Sequence, residues 1–227
     1  KRARQAISRV EDGVRVAMLI GYASTTRSMI ALAEKRGFKQ VRNYYRMQID
    51  MENPPPEPVW PENIRLKPFN EEEDLKAVYI ADKEAFRDHY GFVERDFEQG
   101  FSDFQHMTVK KDSFDPTLWF LAMDGDQIAG ISLCKKYAVD DKECGFISHL
   151  AVLKPWRKQG LGLALLLHSF GEFYRRGYRK VSLGVDAKNL TGALRLYEKA
   201  GMYVKRQFNN YEKVIRPGRD ISVQDLE

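Results

Sequence analysis

Residues 150–162 read Leu150-Ala-Val-Leu-Lys-Pro-Trp-Arg157-Lys-Gln-Gly160-Leu-Gly162, an apolar strand end followed by a basic turn that contains two glycines. Beyond the turn, large apolar residues recur at helical spacing as far as position 176, which predicts an amphipathic helix. The first N–H groups of a helix have no partner within it, and glycine lacks the Cβ that would keep a phosphate away. The turn therefore predicts an anion site. An ordinary strand-to-helix turn is the alternative, since neither the P-loop nor the G-x-G-x-x-G spacing is present.

The sequence after position 63 predicts a mixed α/β domain. Asp124-Gly125-Asp126 joins two apolar runs, which is a strong hairpin signal, and the run 146–152 adds a third strand to an antiparallel meander. In chain order the predicted elements are a strand at 64–66, helices at 71–87 and 95–104, strands at 118–123, 127–133 and 146–152, a helix at 160–176, a strand at 181–185, a helix at 191–200 and a strand pair within 202–214.

The sequence before position 51 predicts a smaller unit. It contains a strand at 14–20, a helix at 26–36 closed by Gly37, and an aromatic strand pair at 41–49. The segment 51–63 then holds five prolines. Because proline cannot donate to a helix or sheet, this segment is predicted to be a stiff linker.

The N-terminal unit resembles the end of the chain. At a constant offset of 164 positions, the distance from Gly37 to Gly201, several residues between 177 and 201 are identical with their counterparts, and no gap is needed. Chance similarity of two helix ends is the weaker interpretation. We therefore expect residues 1–50 to be the C-terminal half of a degenerate or truncated domain, residues 51–63 a proline-rich linker, and residues 64–227 one complete domain.

Length and composition limit the class of protein. The 227 residues carry a net charge of +5, which favours anionic partners; nucleic-acid binding rests on this charge alone, so none is expected. No apolar stretch approaches the roughly 20 residues of a membrane helix, so we expect no membrane partner. Cys134, Cys144 and the histidines lie in no metal or redox spacing, which predicts no metal site and a reducing, cytoplasmic location. The first residue is Lys1 rather than Met, which suggests a fragment.

Two motifs together resemble the GNAT N-acyltransferase superfamily. They are Arg157-x-x-Gly160-x-Gly162 after an apolar strand and, following Asn189, the sequence Leu196-Tyr-Glu-Lys-Ala-Gly201-Met. The likeness covers 64–214 as a complete domain and 13–47 as the second half of another, an arrangement that resembles mycothiol-synthase-like acetyltransferases. It implies acetyl-CoA as cosubstrate and the GNAT fold, a mixed central sheet with an antiparallel meander and a parallel splayed pair, flanked by helices and preceded here by a partial second copy.

The resemblance also implies roles for individual residues. Backbone groups of Leu150 and Val152 would pair with the pantetheine arm, and the Leu150 N–H would be aimed at the thioester oxygen. Tyr197 matches the family's general acid, which protonates the departing CoA thiolate; a core aromatic residue is the alternative. Asn189 matches a position that commonly touches the cofactor. The groups implied to hold the pyrophosphate are Arg157 and the backbone N–H groups of Lys158, Gln159, Gly160, Leu161, Gly162 and Leu163.

The resemblance assigns no general base. Family members often carry Glu or His at two positions of the strand before the splay, where this chain has Phe146 and Ser148. Another family option, a Glu on the following strand, falls on Gly184. His149 is adjacent but points to the other face if the strand is regular. The remaining candidates, carboxylates at strand edges that could act through water, are Glu143 and Asp186.

The sequence thus predicts an acetyl-CoA-dependent N-acetyltransferase that acts on the primary amine of a small molecule by direct attack in a ternary complex. The charged and aromatic segment 87–92 is expected to contact the acceptor, although an exposed helix end has the same composition. The rival is a catalytically degenerate CoA-binding module or sensor, which the missing base favours. Half a domain cannot bury its apolar faces alone, so the N-terminal unit is expected to pack on the complete domain or on a second chain.

Overall fold

One mixed sheet of eight strands organises the part of the chain that the computed structural model describes, residues 7–8, 10–188 and 192–224. Five α-helices accompany the sheet within those residues. The elements, in chain order, are β1 (Val16–Ala23), α1 (Arg27–Lys35), β2 (Lys39–Asp50), β3 (Ile64–Pro68), α2 (Glu71–Phe86), α3 (Phe97–Met107), β4 (Trp119–Asp124), β5 (Gln127–Lys135), β6 (Cys144–Val152), α4 (Leu161–Arg175), β7 (Lys180–Asp186), α5 (Ala193–Lys199) and β8 (Tyr203–Arg216).

The strands lie in the order β1-β8-β2-β7-β6-β5-β4-β3. Neighbouring strands are antiparallel except β6 and β7, which run parallel. Strands β3 to β6 form the expected meander, and Gly125 takes a positive φ of 56° in the turn between β4 and β5. The α/β class and the mixed sheet, with its meander and its parallel pair, are therefore confirmed.

Alternating side chains of the central strands supply two cores, one on each face of the sheet. On β4, Leu121 belongs to the core that α2 and α3 cover, whereas Phe120 belongs to the core that α4 covers. Helix α2 starts at Asn70, whose side chain accepts a hydrogen bond from the Glu72 N–H at 3.0 Å. Helix α4 buries Phe170 completely. The two faces are thus held by helices that flank the same central strands.

Two expected strand pairs are single long strands. The predictions at 41–49 and 202–214 were wrong, because β2 and β8 each run without a turn. Strand β8 pairs with β1 on one side and with β2 on the other, so its backbone groups find partners along its whole length. The β2–β8 ladder is instead interrupted by β-bulges, such as the one between Gln40 and Arg42.

The N-terminal segment is built into the sheet. Strand β2 lies between β8 and β7, and β1 forms the outer edge. The segment 51–63 contains neither helix nor strand but is not detached, since Met51 is buried and the Trp60 ring lies 5.8 Å from the His168 ring. The described residues before position 64 therefore pack against the rest of the described structure.

Elements at the two ends of the chain recur at the offset seen in the sequence. Strands β1 and β7 begin 164 positions apart, as do β2 and β8, and α1 and α5 end 164 positions apart. Gly37 and Gly201, which follow the two helices, have φ values of 80° and 89°. Tyr44 and Phe208 are also 164 positions apart, and they pair with each other in the β2–β8 ladder. An approximate twofold axis that relates the two repeats therefore passes through this pair.

Candidate functional site

Strands β6 and β7 diverge and open a cleft in the sheet. Their parallel pairing extends only from Cys144↔Lys180 to Ile147↔Leu183. Beyond it, β6 continues along β5 to Val152, whereas β7 continues along β2 to Asp186. Each strand thus follows a different neighbour, and a cleft of ≈ 760 Å³ lies between the separated ends.

The turn before α4 presents unpaired backbone donors to this cleft. Lys158 has a φ of 63° and Gly160 a φ of 89°, two left-handed residues that turn the chain sharply. The N–H groups of residues 158–162 donate no hydrogen bond to the described residues, whereas the Leu163 N–H is paired with the Gly160 carbonyl at 3.0 Å. Among the backbone N–H groups that the resemblance implies for the pyrophosphate, those of residues 158–162 are therefore unpaired in the described residues, and that of Leu163 is paired.

The two glycines of the motif have different surroundings. A Cβ at Gly160 would meet no atom within 4 Å, so this face of the turn is open to a ligand. A Cβ at Gly162 would lie 3.2 Å from Leu196 Cδ2 and 3.7 Å from Val152 Cγ2. The missing Cβ thus leaves open space at Gly160, whereas at Gly162 it allows α4 to lie close to Leu196 of α5.

The side chains around the turn differ in what they can offer a ligand. Arg157 donates from Nε to the Val152 carbonyl at 2.9 Å and from Nη2 to the Ala85 carbonyl at 3.3 Å, which leaves Nη1. The Gln159 amide donates to the Pro155 carbonyl at 3.0 Å, and the Leu161 side chain is buried in the core. Residues 159 and 161 are thus placed to contact a ligand through their backbone rather than through their side chains.

Tyr197 lines the cleft from α5. Its side chain is 7% exposed, and its hydroxyl makes no hydrogen bond to the described residues. Burial raises the pKa of Tyr197 to about 12, so the phenol keeps its proton at neutral pH. Leu150 and Val152 line the same cleft from β6, while Asn189 lies outside the described residues.

Only some of the positions considered for a general base lie at the cleft. The Ser148 hydroxyl donates to the Leu133 carbonyl at 2.7 Å, and a Cβ at Gly184 would meet nothing within 4 Å. His149 lies outside the cleft lining, with its Nδ1 2.7 Å from Asp82 Oδ1. The other positions are Phe146, whose ring stacks under the Arg46 guanidinium at 4.9 Å, Glu143, which is exposed, and Asp186, which lines the cleft.

Segment 87–92 contributes three lining residues, Asp88, His89 and Tyr90. The C-terminal tail pins this segment, because the Gly91 N–H donates to the Val223 carbonyl at 2.7 Å and the Val223 N–H to the Phe92 carbonyl at 2.9 Å. The segment is therefore held in place over the cleft.

Sequence reasoning missed lining residues from both ends of the chain. Arg42 and Tyr44 come from β2, and Gln224 comes from the C-terminal tail. The Arg42 Nε donates to both carboxylate oxygens of Asp186, at 2.8 and 3.1 Å, and its guanidinium lies 4.2 Å from the Tyr90 ring centroid. Burial raises the pKa of Tyr44. No local signal marks these residues. The pairing of β2 with β7 brings Arg42 and Tyr44 to the cleft, and the hydrogen bonds of Val223 with segment 87–92 bring Gln224 there.

Within residues 7–8, 10–188 and 192–224, no group of three or more His, Cys, Asp or Glu residues is arranged to hold a metal ion. No helix in those ranges is long and apolar enough to cross a membrane.

Solved structures with the same fold include a GCN5-related N-acetyltransferase from Sphaerobacter thermophilus. It is 36% identical and superposes with a TM-score of 0.77, covering 96% of this chain and 65% of that one. A tandem GNAT protein from the clavulanic acid biosynthesis pathway is 14% identical, with a TM-score of 0.65 over 90% of this chain and 65% of that one. The second likeness concerns the fold alone.

Curated relatives include the mycothiol acetyltransferase of Thermobispora bispora, 32% identical over 75% of this chain and 57% of that protein. The mycothiol acetyltransferase of Nocardiopsis dassonvillei is 30% identical over 84% of this chain and 62% of that protein. The chain thus spans little more than half the length of these relatives. The resemblance to GNAT proteins, and among them to mycothiol-synthase-like acetyltransferases, is confirmed. The Acetyltransferase (GNAT) family model matches residues 73–202, more than half of the chain, and the chain belongs to this family.

Proposed function

We propose that this protein transfers the acetyl group of acetyl-CoA to the primary amine of a small molecule, by direct attack in a ternary complex. One observation carries the proposal: the cleft between the diverging strands β6 and β7 adjoins a turn whose N–H groups at 158–162 are unpaired within the described residues. Consecutive N–H groups at the start of a helix suit a pyrophosphate, and strand backbone without a partner suits the amide-containing pantetheine arm. Acetyl-CoA carries both parts and would use both features of the cleft.

The chain's own residues then have distinct tasks. The N–H groups of 158–162, with Nη1 of Arg157, would bind the pyrophosphate. Backbone groups of Leu150 and Val152 would orient the pantetheine, with the Leu150 N–H as donor to the thioester oxygen as negative charge develops there. Acetyl-CoA supplies an activated acetyl group with a thiolate leaving group.

Tyr197 is proposed as the general acid. Tyr197 lines the cleft, its hydroxyl has no hydrogen-bond partner in the described residues, and the pKa of about 12 keeps it protonated until a thiolate forms nearby. Proton donation from Tyr197 to the sulfur would neutralise that thiolate. Asn189 stays a proposed cofactor contact on the resemblance alone.

We also propose the domain organisation expected from the sequence. Residues 1–50 would be the C-terminal half of a GNAT-like domain, 51–63 a linker, and 64–227 a complete GNAT domain. The recurrence of three elements at one offset supports this. So does burial: Leu183 is 2% exposed, whereas its counterpart Leu19 is 62% exposed. Leu183 packs in the core beneath a helix, whereas Leu19 lies on an uncovered face of the sheet. This difference is expected if residues 1–50 are half of a domain.

A binding module without catalysis is the second candidate. The specific observation in its favour is that Phe146 and Gly184 occupy positions where family members often carry a base. Such a module would bind CoA and leave acetyl-CoA unchanged in the presence of any amine.

The experiment that separates the two candidates is an acetyl-transfer assay with a defined set of amines. The set comprises D-glucosamine, spermidine, an aminoglycoside, a lysine-containing peptide and, because relatives are named mycothiol acetyltransferases, mycothiol without its acetyl group. Mass spectrometry detects the acetylated amine, and free CoA thiol is measured in parallel. We expect one amine of the set to be acetylated with matching thiol release. CoA binding with no product from any member would instead support the binding module.

A further inference from the structure

The attacking amine must lose a proton, and few groups in the cleft can take it. Lysines and arginines are cations at neutral pH and the tyrosines are phenols, so neither type is a useful acceptor. Among the lining residues that the structure describes, the groups with a basic lone pair near neutral pH are Asp88, His89 and Asp186.

Both carboxylates are already bound to cations. Asp88 Oδ2 lies 2.8 Å from Lys154 Nζ, and this contact holds the pKa of Asp88 below its usual value. The Asp186 carboxylate accepts two hydrogen bonds from Arg42 Nε. Neither carboxylate can therefore receive the proton of the amine without giving up its ion pair.

The His149–Asp82 pair is a second place where a base could sit. Its imidazole belongs to the strand next to the cleft, but neither residue lines the cleft. His149 is surrounded by the rings of Phe86 and Phe104, at centroid distances of 5.8 and 6.2 Å. The His149 side chain therefore points to the face of β6 that α2 and α3 cover, and the pair lies outside the cleft lining.

His89 differs from these groups because its imidazole lines the cleft and makes no side-chain hydrogen bond to the described residues. Its backbone N–H donates to the Phe86 carbonyl at 2.9 Å, and the two rings meet edge to face at 4.6 Å. The next residue, Tyr90, is held under Arg42 of β2, and Gly91 is tied to the C-terminal tail. The imidazole is thus positioned on both sides and its ring nitrogens are left for a ligand.

Charged groups face His89 from each surrounding element. Burial is the main cause that lowers its pKa, and Arg157 of the turn before α4 lowers it further. Asp186 of β7, Asp88 of its own segment and Asp82 of α2 act in the opposite direction. Because the net direction is downward, the imidazole is neutral at pH 7 and able to accept a proton.

We propose that His89 is the general base of the acetyl transfer, an inference that rests on the proposed function. The amine nitrogen forms a bond to the acetyl carbon, and the carbon–sulfur bond of the thioester breaks. His89 takes the proton that the amine loses, and Tyr197 gives its proton to the sulfur. The imidazolium and the phenolate return to their starting states by proton exchange through solvent, so the products are one amide and one thiol.

The test compares the wild type with His89→Gln, using the amine of the set above that the wild type acetylates. We expect kcat/KM for the amine to fall by about 10²- to 10⁴-fold, the usual contribution of a general base. Acetyl-CoA should still stabilise the variant against heat, which shows that it is folded. In the wild type, activity should be lost as the pH falls through a pKa below 6.5, and this acid limb should be missing in the variant.

Three further variants make the result specific. His106→Gln, an exposed histidine on α3, should behave as wild type. His89→Ala should regain part of its activity with added imidazole, which a purely structural role would not allow. If His149→Gln alone loses the activity and the acid limb, the His149–Asp82 pair is the base instead.

The outcomes separate this inference from the function on which it rests. A wild type that acetylates an amine while His89→Gln is equally fast with the same acid limb would overturn the role of His89 and leave the function standing. A wild type that binds CoA and acetylates no amine of the set would overturn both.

Discussion

At the scale of single residues, removal of the Tyr197 hydroxyl tests the proposed chemistry most sharply. Tyr197→Phe removes the proton donor but keeps the buried ring, so we expect turnover to fall by roughly 10- to 1,000-fold while acetyl-CoA affinity stays the same. Because burial raises the pKa of Tyr197 to about 12, we expect no loss of activity from deprotonation of this group at neutral or mildly alkaline pH. Steady-state kinetics under conditions where chemistry limits turnover provide the measurement. Tyr137→Phe, outside the cleft, is the control, and equal rates for Tyr197→Phe and wild type would remove Tyr197 from the mechanism.

Gly160 allows a second prediction with a closely matched control. Gly160→Ala and Gly177→Ala both place a Cβ at a φ of 89° in open space, so each should cost about the same 1 to 2 kcal/mol of folding stability. Only Gly160 lies beside the unpaired N–H groups. Loss of one or two hydrogen bonds to a phosphate should weaken CoA binding about 10- to 100-fold in Gly160→Ala alone. Thermal shift with and without CoA measures both effects, and equal CoA affinities in the two variants would place the pyrophosphate elsewhere.

Local signals explain which site residues could be predicted from the sequence. The turn at 157–162 was recognisable because glycine spacing, basic charge and a helix start all lie within six positions. Arg42 and Gln224 could not be recognised, since each reaches the cleft through pairings with residues far away in the chain. The roles of Gly160 and Gly162 looked alike in sequence, and only the packing of Leu196 against Gly162 separates them.

At the scale of elements, strand β2 links the N-terminal segment to the site. Arg42 joins the Asp186 carboxylate at the end of β7 to the Tyr90 ring above the cleft. Arg42→Gln removes the charge from this junction, so we expect the acceptor KM to rise by about tenfold, the effect of one lost charge-assisted contact of about 1.4 kcal/mol. The KM for acetyl-CoA should not change.

Arg206→Gln serves as control for Arg42→Gln, since Arg206 lies on β8 and pairs with Asp140, away from the cleft. Kinetics with the acetylated amine of the set give both constants. An unchanged acceptor KM in Arg42→Gln would mean that β2 only supports the sheet and takes no part in acceptor binding.

Element boundaries show what the sequence pattern could and could not predict. The Asp-Gly hairpin and the amphipathic helices follow from local chemistry and were found within a few residues. The long strands β2 and β8 were split in the prediction, because their continuity depends on partners on both sides rather than on their own residues. Period and propensity describe one segment at a time, whereas strand length is decided by the neighbouring strands.

At the scale of the whole molecule, the N-terminal segment should be essential for folding. Within the described residues, β8 pairs with β1 and β2, so a chain that lacks residues 1–50 would leave the fourteen residues of β8 without these neighbours. We expect this shortened chain to aggregate or to lose its cooperative thermal transition. Removal of residues 1–6 is the control. A shortened chain that stays monomeric and unfolds cooperatively would show that residues 64–227 form an independent domain in spite of these pairings.

The proposal that one complete site exists in each chain is tested most directly by calorimetric titration with acetyl-CoA. In the N-terminal repeat the position equivalent to Tyr197 is Ala33, so this repeat lacks the proposed general acid. We predict a single transition with one acetyl-CoA bound per chain, weakened in Gly160→Ala and retained in Gly177→Ala. Two equivalent sites per chain would contradict the single site. No binding at all, or equal affinities in Gly160→Ala and Gly177→Ala, would contradict the assignment of the cleft between β6 and β7 as the acetyl-CoA site.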